Sequence, residues 1–231
     1  MVLINPKRTK NTGSALAGWL VYALLLIPAA VQAAPLSLWK IEHDQAVVYL
    51  VGSVHVLKAD DYPLPAAFQM AFDAAQITVF EVDLDKTSEP EVARFLVDEG
   101  RYQPPDRLSD NLLPSSLAAL NRYLDSTHQS LEQYQQMKPW AISLNIAMIE
   151  TQRLGYDAEL GVDLYFQKQA RAAGKPVLEL ESIQDQLRLL SGDSEALQEL
   201  SLVSAISELP RFEMLLEDLM GAWRVGAADE M

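Results

Sequence analysis

A histidine and a glutamate, each near the end of an apolar segment, are the residues of this chain best suited to chemistry. His55 closes the motif Gly52-Ser53-Val54-His55, which follows the apolar run Ala46–Val51. Glu81 lies in a second apolar run, Ile77–Val82, which holds no other charge. In open parallel sheets, ligands gather outside the carboxyl ends of the strands. An imidazole and a carboxylate that meet there would begin a divalent-metal site.

Both residues also have a purely structural interpretation. A single histidine after a strand is often a satisfied structural residue. A carboxylate buried in a strand is costly when it is bare, so Glu81 is expected to be protonated, bound to a metal or paired. The basic partners considered for such a pair are Arg94, Arg101 and Arg153.

The segments around these two residues predict a strand–helix–strand unit. Leu36–Ile41 and Ala46–Gly52 are predicted to form a strand hairpin, and the apolar run of the second strand is typical of a strand buried on both faces. A helix led by two prolines follows, and Ile77–Val82 is the next strand. Parallel strands joined by one helix are often neighbours, which would bring the histidine and the glutamate to one sheet edge.

The rest of the chain is predicted to be mainly helical. A buried helix is expected from Pro139 to Leu154, and a helix at Gly161–Ala173 precedes a strand at Pro176–Leu180. Two final helices are expected at Ser194–Glu208 and Arg211–Val225. The predicted fold class is therefore α/β, with a mixed, largely parallel sheet and many flanking helices.

Residues 1–33 have the pattern of a secretory signal peptide. Three basic residues precede the apolar stretch Leu16–Ala30, and the small-residue site Val31-Gln32-Ala33 follows it. Cleavage after Ala33 would export residues 34–231 to the periplasm or the medium. A retained membrane anchor is the alternative, but the apolar stretch is shorter than the about 20 residues that a spanning helix needs. We therefore expect no stable membrane anchor after cleavage.

The composition excludes several classes of function. The formal net charge of −14 disfavours nucleic acid and anionic lipid surfaces, because both would repel the chain. The chain has no cysteine, which rules out disulfides, a thiolate nucleophile and a thiolate metal site. Nothing in the composition indicates an oligomeric state.

The chain resembles the TraB/GumN family, also called TraB/PrgY, which includes the Tiki metalloproteases. The matching segments keep their order over nearly the whole chain after residue 33. They are Leu38–Ile41, Val48–Leu57, Tyr62–Pro65, Val79–Asp83, Lys138–Ala141, Gly161–Asp163 and Leu178–Gln186. The resemblance implies an α/β arrangement similar to the erythromycin-esterase and ChaN-like proteins, and a peptide or small molecule as the ligand.

The resemblance also implies roles for individual residues. Gly52 and His55 match the first of two Gly-x-x-His motifs, and Glu81 matches the glutamate of a divalent-metal site. The implied activity is a metal-dependent, peptidase-like hydrolase in which His55 is a metal ligand and Glu81 is a ligand or the general base. Asp163 is expected either to orient His55 or simply to favour the start of its helix.

Two further residues have two equal interpretations. Lys138 and Trp140 could line the cleft, as the resemblance suggests. Alternatively, the proline between them starts a helix and Trp140 packs in the core.

The second Gly-x-x-His motif is missing from the sequence. No glycine after position 52 has a histidine three residues later. The family places that motif beyond the helix ending near Trp223, so residues 34–231 are expected to be a family domain that is incomplete at its carboxyl terminus. A catalytic zinc site typically has three protein ligands, and the histidine–glutamate pair supplies two, because His43 and His128 are predicted to be solvated. The alternative function is a non-catalytic periplasmic protein that binds or sequesters a peptide or a haem-like ligand.

Overall fold

The computed structural model describes residues 1–6, 36–44 and 46–227. The strands in these residues are β1 (Val2–Pro6), β2 (Leu38–His43), β3 (Ala46–Val51), β4 (Ile77–Phe80) and β5 (Val177–Glu179). The α-helices are α1 (Ala66–Ala74), α2 (Pro90–Gly100), α3 (Leu108–Asn111), α4 (Pro114–Ser126), α5 (Pro139–Arg153), α6 (Val162–Ala172), α7 (Ile183–Ser191) and α8 (Glu195–Val225).

The five strands form one mixed sheet in the order β2-β3-β1-β4-β5. β3 pairs antiparallel with β2 and β1, β1 pairs antiparallel with β4, and β4 pairs parallel with β5. The α/β class, the mixed sheet and the hairpin of β2 and β3 are confirmed. Strands β3 and β4 were predicted to be parallel neighbours, but β1 lies between them and is antiparallel to both. The prediction of a largely parallel sheet is therefore wrong.

The central strand β1 comes from the start of the chain. It pairs with β3 over five residue pairs and with β4 over three. The side chain of Leu3 is completely buried beneath it. The remainder of the predicted signal peptide and its cleavage site fall within residues 7–35, which lie outside the described residues, so cleavage stays a prediction.

One face of the sheet is covered by helices and holds the main core. Leu3, Val51 and Phe80 of the sheet belong to one buried cluster with residues of α1, α6 and the end of α8. The helical members of this cluster are Phe68, Ala71, Phe72, Val162, Phe166, Ala170, Met220 and Trp223. The helix predicted after Pro65 is therefore confirmed as α1, and it contacts the sheet at β1.

The opposite face of the sheet carries apolar side chains that are only partly covered. They lie in two rows across the strands, because directly paired residues point to the same face. The first row is Trp39, Leu50, Val2, Val79 and Leu178, and the second is Ile41, Val48, Ile4 and Ile77. All nine are half-buried or exposed. The prediction that the apolar run of β3 is buried on both faces is therefore wrong within the described part of the chain.

A helical layer packs beside the sheet. Residues of α4, α5 and α8 form a second buried cluster that includes Leu120, Ile146 and Leu202. The helices predicted at 139–154 and 161–173 are confirmed as α5 and α6. The two helices predicted between residues 194 and 225 form the single helix α8, which continues through Pro210. A proline inside a helix weakens it, and here packing of α8 against α4 and α5 supports the continuous helix. Within the described ranges, no helix has both the length and the apolar character to cross a membrane.

Candidate functional site

His55 and two carboxylates meet at the carboxyl ends of β3 and β4. His55 Nδ1 lies 2.8 Å from Asp163 Oδ2, and His55 Nε2 lies 3.8 Å from Glu81 Oε2. The side chains of His55 and Glu81 are 68% and 49% exposed, whereas that of Asp163 is only 7% exposed. The structure therefore brings the predicted histidine and glutamate to one sheet edge, although β1 separates the strands that carry them.

Two glycines allow the backbone around His55 to pack closely. A Cβ on Gly52 would lie 2.6 Å from the Cβ of Ser37, and a Cβ on Gly161 would lie 2.4 Å from the carbonyl oxygen of His55. Gly52 is also fixed by its N–H bond to the carbonyl of Ser37 (2.7 Å) and by the indole N–H of Trp223, which donates to the Gly52 carbonyl (3.0 Å). Gly52 is thus required for close approach of neighbouring chain segments.

Helix α6 carries Asp163 to the imidazole. The N–H of Val162 donates to the carbonyl of Val54 at 2.9 Å, which holds the first turn of α6 against the segment that follows β3. Asp163 lies in this first turn, where a carboxylate also interacts favourably with the helix dipole. Both features expected of Asp163 are present, and its role as an orienting partner of His55 stays a prediction.

His55 and Asp163 shift each other's pKa in opposite directions. Burial acts to raise the pKa of Asp163, but the hydrogen bond and charge of His55, together with Ser53 and the charge of the amino terminus, outweigh it, so this pKa is below its ordinary value. The hydrogen bond to Asp163 raises the pKa of His55, against the opposing effect of burial and with help from the charges of Asp163 and Glu81. In neutral His55, a proton held on Nδ1 towards Asp163 leaves Nε2 free to bind a metal.

Glu81 is not buried within a strand, contrary to the prediction from the sequence. Strand β4 ends at Phe80, and Glu81 begins the following loop with half of its side chain exposed. Its Oε1 accepts a hydrogen bond from Nε2 of Gln186 at 2.7 Å. Arg153, one of the arginines considered as its partner, pairs with Glu150 instead. Glu81 is therefore a candidate because of its position beside His55 and not because burial forces it to be neutralised.

A row of polar side chains on α6, which was not predicted from the sequence, holds the loop that carries Glu81. Asp163, Gln167 and Arg171 are four residues apart and so lie on one helix face. The buried amide of Gln167 donates to the carbonyl of Val82 (2.7 Å) and accepts from the N–H of Leu84 (2.9 Å). Arg171 pairs with Asp83, which lies between Val82 and Leu84 in the same loop. Helix α6 thus positions the carboxylates of both Asp163 and Glu81. The four-residue spacing of polar side chains along this helix is the sequence signal from which that role could have been predicted.

A cavity of about 360 Å³ opens beside the imidazole. Its lining includes His55, Asp163 and Gln186 among the polar residues of the site. The apolar lining residues are Val82, Leu84, Ala158, Leu164 and Ile183. An imidazole on the wall of a mostly apolar cavity is a common arrangement for a small-molecule or peptide site.

The structure does not bring Lys138 and Trp140 to this cavity. Trp140 is buried with Val92 and Leu187 in a separate cluster, and its indole N–H donates to the carbonyl of Glu99. Lys138 is the residue that precedes the first turn of α5. Their positions agree with the second interpretation, a proline-led helix start with tryptophan in the core.

The site fits part of a metal centre. Two ligands about 2.1 Å from a tetrahedral zinc lie about 3.4 Å apart, close to the separation of the His55 and Glu81 atoms. The contact of Asp163 with the other ring nitrogen is the usual outer support of a metal-bound histidine. Among the residues that the structure describes, however, no group of three histidine, aspartate or glutamate side chains is placed to hold a metal ion. His43 and His128 are exposed, as predicted.

Comparison with known proteins identifies the family. The TraB/PrgY/gumN family model matches residues 37–231, which include every residue of the site. The curated relatives include the uncharacterized protein YbaP of Escherichia coli (strain K12) and of Shigella flexneri, each 26% identical over 142 residues. These matches cover 62% of this chain and 51% of each relative, so the chain spans about half the length of the curated relatives it matches. No solved structure matches the chain. Because the family model covers most of its length, the chain belongs to the TraB/PrgY/gumN family.

Proposed function

We propose that this chain is an exported protein that carries part of the active site of a metal-dependent, peptidase-like hydrolase. One observation carries the proposal: His55 is held on one ring nitrogen by buried Asp163 and faces Glu81 with the other. Two side chains that are at least half exposed, one of them on the wall of a cavity, suit a site that must admit both an ion and a substrate. We include in the proposal an overall arrangement similar to the erythromycin-esterase and ChaN-like proteins.

The residues of the chain would divide the work as follows. His55 would hold the metal through Nε2, because Asp163 keeps the proton on Nδ1. Glu81 would be a second ligand or the general base, with Gln186 fixing the orientation of its carboxylate. The bound divalent ion would lower the pKa of a coordinated water and polarise the carbonyl that the water attacks.

A metal titration tests this proposal. Isothermal titration of the full chain with Zn²⁺ and Mn²⁺ should show stoichiometric binding of at least one of them. The His55→Ala variant should lose this binding, whereas His43→Ala is the matched control and should keep it, because His43 is exposed in the β2–β3 turn. A full chain that binds neither ion, or a His55→Ala chain that binds as well as the unaltered one, would falsify the proposal.

The second candidate is a non-catalytic protein that binds or sequesters a peptide or a haem-like ligand. The two-ligand site favours it, because the described residues supply one ligand fewer than catalytic zinc sites typically have. A haem titration of the full chain checks this alternative. A shift of the haem absorption band that disappears in His55→Ala would support a binding role, and no shift would remove the haem version.

The exported state needs its own test. Expression of the full chain in a bacterial host, followed by amino-terminal sequencing of the periplasmic fraction, should give a sequence that begins at Ala34. A protein recovered only from the cytoplasm with Met1 intact would contradict export.

A further inference from the structure

Strand β1 lies in the sheet as a bound peptide would. It fills a groove between β3 and β4, and it pairs antiparallel with both. The N–H of Val51 donates to the carbonyl of Met1 (2.8 Å), the amino group of Met1 donates to the carbonyl of Val51 (3.0 Å), and the N–H of Gln76 donates to the carbonyl of Ile4 (2.7 Å). These contacts are made by main-chain atoms, so any extended peptide could form them.

The groove should discriminate most strongly between side chains at the position of Leu3, although Met1 also packs, partly buried, against the same core cluster. Leu3 is 0% exposed and belongs to the main core cluster with Phe68, Phe72 and Phe80. Its neighbours Val2 and Ile4 point to the opposite, partly open face of the sheet, where both are half-buried. A ligand strand would therefore need a large aliphatic side chain at the place of Leu3 and would tolerate more variation on either side of it.

The groove leads to the candidate site. Because β1 runs antiparallel to β3 and β4, its amino end lies at the carboxyl ends of those strands, where His55 and Glu81 are found. Burial lowers the pKa of the Met1 amino group, and the charges of Asp163 and Glu81 act on the same group in the opposite direction. A peptide longer than β1 at its amino end would pass over the site.

Signal cleavage would empty this groove. The proposed removal of residues 1–33 takes away the central strand, leaves main-chain groups of β3 and β4 without partners, and opens the pocket that Leu3 fills. A strand edge with unpaired N–H and C=O groups readily pairs with another extended strand. A processed protein in which β3 and β4 keep their positions would have a place for an extended peptide directly beside its site.

We propose that the groove between β3 and β4 is the peptide-binding site of the processed protein, and that it takes an extended peptide with a large aliphatic side chain at the place of Leu3. This inference rests on the proposed function both for the signal cleavage that empties the groove and for the fate of the peptide. The bound segment lies on the carboxyl side of the bond to be cleaved. Water would add its hydroxyl to the carbonyl carbon, the bond from this carbon to the amide nitrogen would break, and the nitrogen would take up the proton. This would leave a new carboxylate on the released part and a new amino end where Met1 now lies.

The test uses the full chain and displaces its own strand. Leu3→Asp puts a carboxylate into the core and should release β1, and Leu3→Ala removes the buried side chain without adding charge. The probe is a fluorescent peptide with the sequence of residues 1–6, measured by anisotropy in the presence of a metal chelator. Both variants should bind it at least tenfold more tightly than the unaltered chain, whose groove is filled.

Two controls make the result decisive. The same peptide with the Leu3→Asp change should bind at least tenfold more weakly, and adding His128→Ala, an exposed histidine outside the site, to either variant should leave peptide binding unchanged. If the two peptides bind equally well, or if neither variant binds the peptide more tightly than the unaltered chain does, the groove is not a peptide-binding site and the proposal is overturned. If Leu3→Asp does not fold by circular dichroism, added peptide should restore its structure, and failure to do so together with no gain in Leu3→Ala counts against the proposal.

These outcomes are independent of the proposed hydrolase. Peptide binding that survives in a chain unable to bind metal would support the groove and contradict the metal-dependent function. Metal binding without peptide binding would support the metal-dependent function and contradict the groove.

Discussion

The two sides of the His55 imidazole are built differently. On the inner side, Asp163 is almost completely buried, lies 2.8 Å away and is fixed by a helix that packs on the His55 backbone. On the outer side, Glu81 is half exposed, lies 3.8 Å away and is held by a single amide from Gln186. The inner side resembles a protein core and the outer side resembles a surface. We therefore expect inner substitutions to cost stability and outer substitutions to cost binding.

The largest effect on stability is expected for Gly161→Ala. The new Cβ would lie 2.4 Å from the carbonyl oxygen of His55, and the bond between Val162 and Val54 prevents the two segments from separating. Overpacking of this kind typically costs about 1–3 kcal/mol, and the backbone contact places this variant at the upper end. Urea unfolding measures the loss.

The matched control for that variant is Gly221→Ala in α8. A Cβ at Gly221 would meet no heavy atom within 4 Å. Alanine is favoured over glycine inside a helix by about 0.5–1 kcal/mol, so this variant should be neutral or slightly more stable. Equal destabilisation by the two alanines would show that the packing of Gly161 on His55 is not tight.

The next effect is expected for Asp163→Ala on the inner side. It removes the hydrogen bond between a buried carboxylate and the imidazole, and because His55 is largely exposed we expect a loss of about 1–2 kcal/mol. The affinity for a divalent ion should also fall by about 10–100-fold, because the imidazole loses its orienting partner. Asp163→Asn keeps an acceptor for Nδ1 and should lose less of both. An unchanged metal affinity in Asp163→Ala would show that this contact serves only the fold.

Glu81→Gln should show most clearly that the outer side of the imidazole serves metal binding and not stability. The side chain keeps its size and lies at the surface, so the free energy of unfolding should stay within about 0.5 kcal/mol of the unaltered chain. Metal binding should nevertheless be lost or strongly weakened. Urea unfolding and metal titration of the same preparation check both statements, and a destabilised chain with full metal binding would reverse the comparison.

The smallest effect is expected for Gln186→Ala. It removes the hydrogen bond to Oε1 of Glu81 and leaves the carboxylate free to turn. Stability should not change measurably, and metal affinity should fall by less than in Glu81→Gln. Gln184→Ala, two residues earlier in α7, is the control. A loss as large as that of Glu81→Gln would mean that Gln186 itself contacts the ion.

The sequence predicted local structure better than it predicted neighbours. The hairpin of β2 and β3, the helix α1 and the strand β4 follow from short patterns, and all are present. The convergence of His55 and Glu81 was also predicted, but on the premise that their strands are adjacent. The insertion of β1 between those strands depends on pairing between residues 40 or more positions apart, and no local pattern encodes it.

The environment of each carboxylate was also beyond a local pattern. An apolar run indicates a strand but not where the strand ends, and β4 ends one residue before Glu81. The contacts of Asp163 and Gln167 join segments more than 80 residues apart, so they depend on how α6 docks on the sheet. The packing of Trp140 likewise followed from the tertiary position of α5.

The central claim is that His55 and Glu81 hold a divalent ion together. X-ray absorption at the zinc edge, recorded on the zinc-loaded full chain and on its His55→Ala and Glu81→Gln variants, tests it most directly. The account predicts one imidazole in the unaltered spectrum, its disappearance in His55→Ala, and the loss of one oxygen ligand or of the ion in Glu81→Gln. A zinc spectrum without imidazole, or one that is the same in all three proteins, would contradict the account.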